Sequence, residues 1–228
     1  GQVDYGLLYD GYWALPDRHG SESFENASAV VTEILNLLPD GRILDVGCGM
    51  GGLVHEFSSR GFDVLGLDPS RKAIDYCREN CSGSFETGSV LRLPFEDQSF
   101  DTVVSTDCLE HLAEDDLPLA IREIARVARR QVYLRIATRP DRDKKWHLTV
   151  KPRKWWEDLL LGHGFRLHPA SQTITPFESL ETEKNDATIC LQKIPLEVHL
   201  KYPAKWLLER RGLHADMLRE SNRRSDSH

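Results

Sequence analysis

No stretch of about 18 consecutive apolar residues occurs in this chain of 228 residues, so nothing in it reads as a membrane span, and a secretory leader is not expected. A surplus of positive charge is missing as well. The formal net charge is −7, which argues against a general nucleic-acid binder, since phosphates call for a net basic domain. Five cysteines, Cys48, Cys77, Cys81, Cys108 and Cys190, form no disulfide framework, because an odd number cannot all pair. Cys77 and Cys81 also lack a second Cys or His pair for zinc. The thiols are therefore expected to be reduced and the chain cytoplasmic. Internal repeats and low-complexity blocks are absent. What remains is 40% hydrophobic, ordinary for a soluble globule, and long enough for one buried core with appendages. The chain starts at Gly1 without a Met, as expected of a domain excised from a longer protein.

Against this plain background one segment stands out, Ile43 to Gly52, reading ILDVGCGMGG. An apolar run ends in a glycine turn, and a carboxylate, Asp45, sits two residues before the first glycine. Such a turn lets backbone N–H groups approach a ligand closely, which suits a nucleotide-like cofactor. The spacing Gly47, Gly49, Gly52 also satisfies the dinucleotide pattern G-x-G-x-x-G, a weak signal alone. Asp45 discriminates. Beside a pyrophosphate it would meet like charge in a poorly solvated place, whereas the ammonium of S-adenosylmethionine is a partner it can neutralise. A second apolar run, FDVLGLD, ends in Asp68, placed to accept ribose hydroxyls.

Farther on come GSVLRLPF (Gly88 to Phe95), SFDTVVSTDCLEHL (Ser99 to Leu112) and a fifth strand. In order and spacing these segments resemble the class I S-adenosylmethionine-dependent methyltransferases over roughly residues 26 to 193. The resemblance implies an α/β fold: a Rossmann-like, seven-stranded, mostly parallel sheet of order 3-2-1-4-5-7-6, its last strand antiparallel, with helices on both faces. It implies S-adenosyl-L-methionine as cofactor and S-adenosyl-L-homocysteine as product. Asp45, Gly47, Cys48 and Gly49 would frame the methionine part, Asp68 the ribose with Pro69 beside it. Ser89 and Val90 would lie against the adenine, and Thr106 would close the pocket. Many relatives carry Asp where this chain has Ser89, so the backbone of Val90 is the expected reader of the adenine edge.

Alternating apolar runs place strands near Arg42–Val46, Phe62–Asp68, Ser84–Thr87, Asp101–Thr106, Gln131–Ala137, Phe165–Leu167 and Ala187–Lys193. Leu117, Ala120, Ile121, Ile124 and Val127 form a helical stripe opened by Asp115 and Asp116. Trp156, Leu159, Leu160 and His163 form another, stopped by Gly164. Residues 1–25 are expected to be a lid rich in Tyr and Trp, 26–194 the methyltransferase domain, and 195–228 an appendage with an amphipathic candidate, Lys205 to Arg211, and a polar tail from about Ser221. That appendage would serve a partner, a homodimer contact or a fusion to further domains.

The acceptor side is expected in the loops after strands four and five. If the acceptor is a hydroxyl, a base of near-neutral pKa contributes on the order of 100 to 10,000-fold, and His111 and His147 are the candidates. His55, His163 and His168 read as surface or packing residues. Asp107, Glu110 and His111, at i, i+3, i+4, would share one helical face and could hold a divalent metal, as in the small-RNA 2'-O-methyltransferases and some quinone O-methyltransferases that are similar here. A solvated polar face or a cap explains the same spacing, and metal independence is the expectation. RPDRDKKWHLTVKPRKWW (Arg139 to Trp156) sets Arg139, Arg142, Lys144, Lys145 and Arg153 among three tryptophans, chemistry suited to clamping an anionic or polyhydroxylated acceptor.

The leading expectation is O-methylation of a small molecule or glycan. An RNA methyltransferase would need a wide basic face, and a non-catalytic cofactor-binding subunit would keep the fold as scaffold. Nucleic acid as a partner and dehydrogenase chemistry are both disfavoured.

Overall fold

The computed structural model describes residues 3–15, 24–38, 41–142, 144–169 and 186–194. The expected amphipathic segment Lys205–Arg211 and the tail from Ser221 lie outside them.

Seven strands build one sheet: β1 (Ile43–Val46), β2 (Val64–Asp68), β3 (Ser84–Thr87), β4 (Phe100–Thr106), β5 (Ala128–Ala137), β6 (Phe165–Leu167) and β7 (Asp186–Lys193), in the order 3-2-1-4-5-7-6. The first five strands pair in parallel, while β7 runs antiparallel to both β5 and β6. Both halves of the expected topology are therefore present. Parallel strands covered on two faces read as continuous apolar runs, and β1 and β2 are buried at every position.

Six helices flank the sheet among the described residues: α1 (Tyr5–Tyr12), α2 (Ala27–Leu37), α3 (Gly52–Ser59), α4 (Arg71–Asn80), α5 (Leu117–Val127) and α6 (Arg153–Leu161). On one face Leu44, Val46, Val103, Val132 and Leu134 meet Leu117, Ile121 and Ile124 of α5 and Trp156 of α6. On the other, Ile43, Val64, Val104 and Tyr133 meet Val31 and Ile34 of α2, Val54 and Phe57 of α3 and Ile74 of α4. The α5 stripe expected from spacing is buried at all five positions. Asp115 and Asp116 form a separate 3-10 turn, Glu114–Asp116, before the helix.

Two local expectations shift. α6 ends at Leu161, so His163 lies beyond it and its Nδ1 is 2.7 Å from Leu159 O. Gly164 does take the left-handed backbone, φ +88°, at the turn into β6. Arg153, a candidate anion clamp, is buried and pairs with Glu157 at 2.9 Å, one turn along its own helix. Its aliphatic stem packs inward, and its charge is committed there.

Trp156 is fully buried between α6 and the sheet. Trp156→Ala is expected to cost about 3–5 kcal/mol of unfolding free energy, read as a lower denaturation midpoint with an unchanged denaturant slope.

Candidate active site

At the carboxyl edge of the sheet the tips of β1, β2 and β4 surround a cleft of about 340 Å³. The floor is set by backbone bonds between strands. The N–H groups of Gly47 and Cys48 both donate to Leu67 O, at 2.8 and 3.1 Å, and the Ser105 hydroxyl donates to Val46 O at 2.9 Å. Gly47 turns the chain with φ +78°, and a Cβ there would stand 2.5 Å from Cys108 Sγ. Gly51 caps α3 with φ +81°, where a Cβ would lie 2.9 Å from both Cys77 Sγ and Phe85. The glycine pattern thus serves a left-handed turn packed directly on its neighbours.

Three carboxylates line this cleft, Asp45, Asp68 and Asp107, the first two at the tips of adjacent strands. Asp45 is 2% exposed, and its Oδ1 has no hydrogen-bond partner. Burial, reinforced by Asp68, pushes its pKa from 3.8 up to about 7. Asp68 accepts from Gly49 N–H through Oδ2 at 3.0 Å and from Ser70 N–H through Oδ1 at 2.9 Å. Burial outweighs those two bonds and raises its pKa to about 6. An unpartnered buried carboxylate oxygen calls for a cationic donor group, and Asp68 keeps lone pairs for hydroxyls. This donor set fits the amino and ribose groups of S-adenosylmethionine.

All nine candidate cofactor residues, Asp45, Gly47, Cys48, Gly49, Asp68, Pro69, Ser89, Val90 and Thr106, line this one cleft. Ser89 Oγ accepts from Leu91 N–H at 3.2 Å, which commits its hydroxyl to the local turn. All five cysteines are thiols rather than disulfides.

The fourth wall is α1. Tyr5 donates to Asp116 Oδ2 at 2.6 Å and accepts from Ala113 N–H at 3.0 Å, while Asp10 accepts from Ser70 Oγ at 2.6 Å and Lys72 N–H at 3.1 Å. So anchored, the helix presents Tyr5, Tyr9, Tyr12 and, just beyond it, Trp13 to the cleft. Four aromatic side chains of the N-terminal segment thus line the cleft. Burial holds the Tyr9 phenol far above its ordinary pKa, so it stays protonated. Arg135, Cys108 and Asn26 also line the cleft and were not singled out from sequence. Arg135 alone carried a signal, a cation inside an apolar strand, and it pairs with Asp186 at 3.1 Å.

Beside the cleft the two candidate histidines meet, their ring centroids 4.8 Å apart. His111 ends a one-turn 3-10 helix, Leu109–His111, and lines the cleft; His147 arrives from the loop after β5. Asp141 Oδ1 gathers the N–H groups of Lys145, Trp146 and His147 at 3.0 to 3.1 Å, fixing that loop. Thr149 N–H donates to Glu110 O at 2.9 Å and fastens it to the 3-10 turn. His147 Nδ1 lies 2.7 Å from Arg139 O. Because a carbonyl only accepts, Nδ1 carries the proton, and in the neutral ring Nε2 bears the lone pair.

Glu110 is fully buried, its Oε1 accepting from Ala137 N–H at 2.9 Å, its Oε2 without a hydrogen bond. Burial first, and Asp107 second, raise its pKa to about 8. The expected grouping of Asp107 with Glu110 and His111 is not what forms. Asp107 takes a left-handed backbone, φ +50°, ahead of the 3-10 turn, so the helical spacing does not apply. His147 takes its place: carboxylate and imidazole atoms of Glu110, His111 and His147 all lie within 4.8 Å of one another. Trp146 packs near this corner against Tyr12 at 4.9 Å, with the Lys145 ammonium 4.4 Å over its ring. Arg139, Arg142 and Lys144 are exposed.

A mostly parallel sheet in this order, with acids at two neighbouring strand tips and a glycine turn between them, defines a nucleoside-cofactor-binding α/β enzyme fold. A family model described as a methyltransferase domain matches residues 43–131. An uncharacterized methyltransferase of Schizosaccharomyces pombe is 31% identical over 210 residues, covering 85% of this chain and 71% of that protein. O-methyltransferase rstn1 of Aspergillus nomiae is 31% identical over 142 residues, 58% of this chain. This chain spans 62% of that fungal protein's length. Among solved structures, magnesium protoporphyrin IX methyltransferase from Synechocystis, with bound S-adenosylmethionine, shares the fold at a TM-score of 0.57 and 21% identity over 85% of this chain and 86% of that one. The chain belongs to the class I S-adenosylmethionine-dependent methyltransferases.

Two outcomes are expected from Asp45. In the free protein its raised pKa means that the folded state holds a proton the unfolded state has lost between 3.8 and about 7, so its contribution to stability falls as pH rises through that window. Asp45→Asn should therefore stabilise the free protein by about 2–4 kcal/mol at about pH 8, by thermal or chemical unfolding. The same variant should weaken S-adenosylhomocysteine binding by at least about 30-fold in calorimetry, the loss of one charge-assisted bond. In the unaltered protein, affinity for that product should fall about tenfold per pH unit below about 7, as Asp45 must shed its proton to meet an ammonium.

Proposed function

We propose that this protein methylates an oxygen of a small, polyhydroxylated or anionic molecule, with S-adenosylmethionine as donor. The observation that carries the reading is the adjacency of two chemistries: a cleft with acids at the tips of β1 and β2, and a His111–His147 pair at its edge. Bound there, the donor supplies an electrophilic methyl group on a sulfonium sulfur. The chain does the rest. Asp45 holds the amino group, Asp68 the ribose hydroxyls, and Val90 with Ser89 borders the adenine, while Thr106 closes the β4 side. Tyr5, Tyr9 and Tyr12 narrow the entrance and exclude water, which strengthens the electrostatic contacts inside.

His147 Nε2, aimed by the Arg139 carbonyl, offers a lone pair where a hydroxyl proton must depart, and His111 shares that position. Trp146 and the exposed cations Arg142 and Lys144 favour an acceptor with a flat or sugar-like body and negative charge. Several O-methyltransferases stand among the similar proteins, and this supports oxygen as the methylated atom.

The test is turnover with methyl-labelled donor against a panel of phosphorylated and glycosylated hydroxy compounds. Label recovered in a methyl ether or ester supports the reading, and label on nitrogen or carbon alone overturns it. His147→Ala and His111→Ala should each lower kcat by about 100 to 10,000-fold while S-adenosylhomocysteine affinity stays within about twofold.

A further inference from the structure

Three metal-capable side chains converge at the edge of the donor cleft, and their surroundings are unusual for a merely structural cluster. Glu110 is fully buried, its Oε2 has no hydrogen bond, and no lysine or arginine forms an ion pair with it among the described residues. A carboxylate so placed carries a large desolvation cost unless it holds a proton or a positive charge reaches it, and a cation can take the proton's place. Its neighbours are two imidazoles, and the orientation of one is already determined: Arg139 O takes the Nδ1 proton of His147, leaving Nε2 as a donor of electrons. A backbone carbonyl behind a histidine is the usual way to orient an imidazole for a metal.

The supports are rigid. Ala137 N–H holds Glu110 Oε1, Thr149 N–H holds Glu110 O, and Asp141 holds the His147 backbone. The three side chains thus come from two segments cross-linked to each other, a preorganised arrangement.

We propose that Glu110, His111 and His147 form a binding site for a divalent first-row transition ion, with its open coordination position toward the acceptor. The ligand set, two nitrogens and one oxygen, suits Zn²⁺, Co²⁺, Mn²⁺ or Fe²⁺ and disfavours Mg²⁺ and Ca²⁺, which take oxygen ligands. The candidate ligand atoms lie within 4.8 Å of one another, and bonds of about 2.0–2.2 Å to one ion would draw them closer together. Three protein ligands leave a fourth position open, the pattern of a site that binds substrate rather than one that only staples a fold. Because His111 also lines the donor cleft, that position is available to an acceptor oxygen. The inference rests on the methyl-transfer reading and deepens it: the ion would acidify the acceptor hydroxyl, in place of an imidazole acting alone as base.

The experiment uses tag-free full chain stripped with chelator, titrated with Co²⁺ alone by calorimetry and visible absorption, with S-adenosylhomocysteine binding measured on each sample. Expected are one equivalent of Co²⁺, ligand-field bands without thiolate charge transfer, and a loss of Co²⁺ affinity of at least about 100-fold in both His147→Ala and Glu110→Gln, with product binding retained. Retained product binding also reports that each variant is folded. Intact product binding with no Co²⁺ uptake overturns the metal site and leaves the imidazole base standing. Uptake insensitive to both substitutions, or with thiolate bands from Cys48, Cys77 or Cys81, overturns it too. Failure to bind the product at all overturns the donor reading instead.

Discussion

The architecture turns on two carboxylates that the fold buries without neutralising. Asp45 and Asp68 end adjacent parallel strands, β1 and β2, and face one cleft, each made harder to ionise by burial and Asp45 further by Asp68. Packing alone would place apolar residues there. Around them the structure is built for closeness: Gly66 lies opposite Asp45 in the register, and a Cβ on it would come within 2.8 Å of Val54 and 2.9 Å of Cys48. A protein that seals its cofactor loop this tightly while leaving Asp45 Oδ1 without a donor keeps a local destabilisation that a cationic ligand relieves.

The rest of the cleft and the histidine corner are assembled differently, from segments whose own strand or helix content is small. α1 is an eight-residue helix, too short to be stable alone, and its place depends on Tyr5 and Asp10 reaching across to Ala113, Asp116, Ser70 and Lys72. The loop after β5 has no regular structure around His147, and the Asp141 carboxylate supplies the order that backbone ladders supply elsewhere. Side chains thus position α1 and the loop that carries His147, whereas backbone bonds position the glycine turn.

That division also explains what was legible in the amino-acid sequence. Strand positions, the α5 stripe and the Asp45–glycine segment are local patterns, and the structure reproduces the strands with boundary shifts of no more than three residues, and none for β3 and β6. The sheet order came from family resemblance, because periodicity says nothing about which strands are neighbours. Asp107 was grouped with Glu110 and His111 on a helical count, which fails because a left-handed residue starts the turn. His147 could be named but not placed beside His111, since 35 intervening positions hide a contact that depends on Thr149 and Asp141. Arg153 reads as a free cation in sequence, and only the depth of α6 shows it buried beside Glu157. Arg135 illustrates the same limit, its cleft-facing position depending on the register of β5 against β4 and β7.

The cofactor cleft and the histidine corner share one segment, the turn from Thr106 to Leu112. Cys108 packs against Gly47 in the donor loop, whereas Glu110 and His111 point toward the loop that carries His147. Tyr9 of α1 reaches the same turn through a 3.5 Å contact with His111 O. Within a core packed at the density of a crystal, a displacement of that turn cannot be absorbed on one side alone. A displacement at Gly47 would therefore meet Cys108, two residues before Glu110 and three before His111.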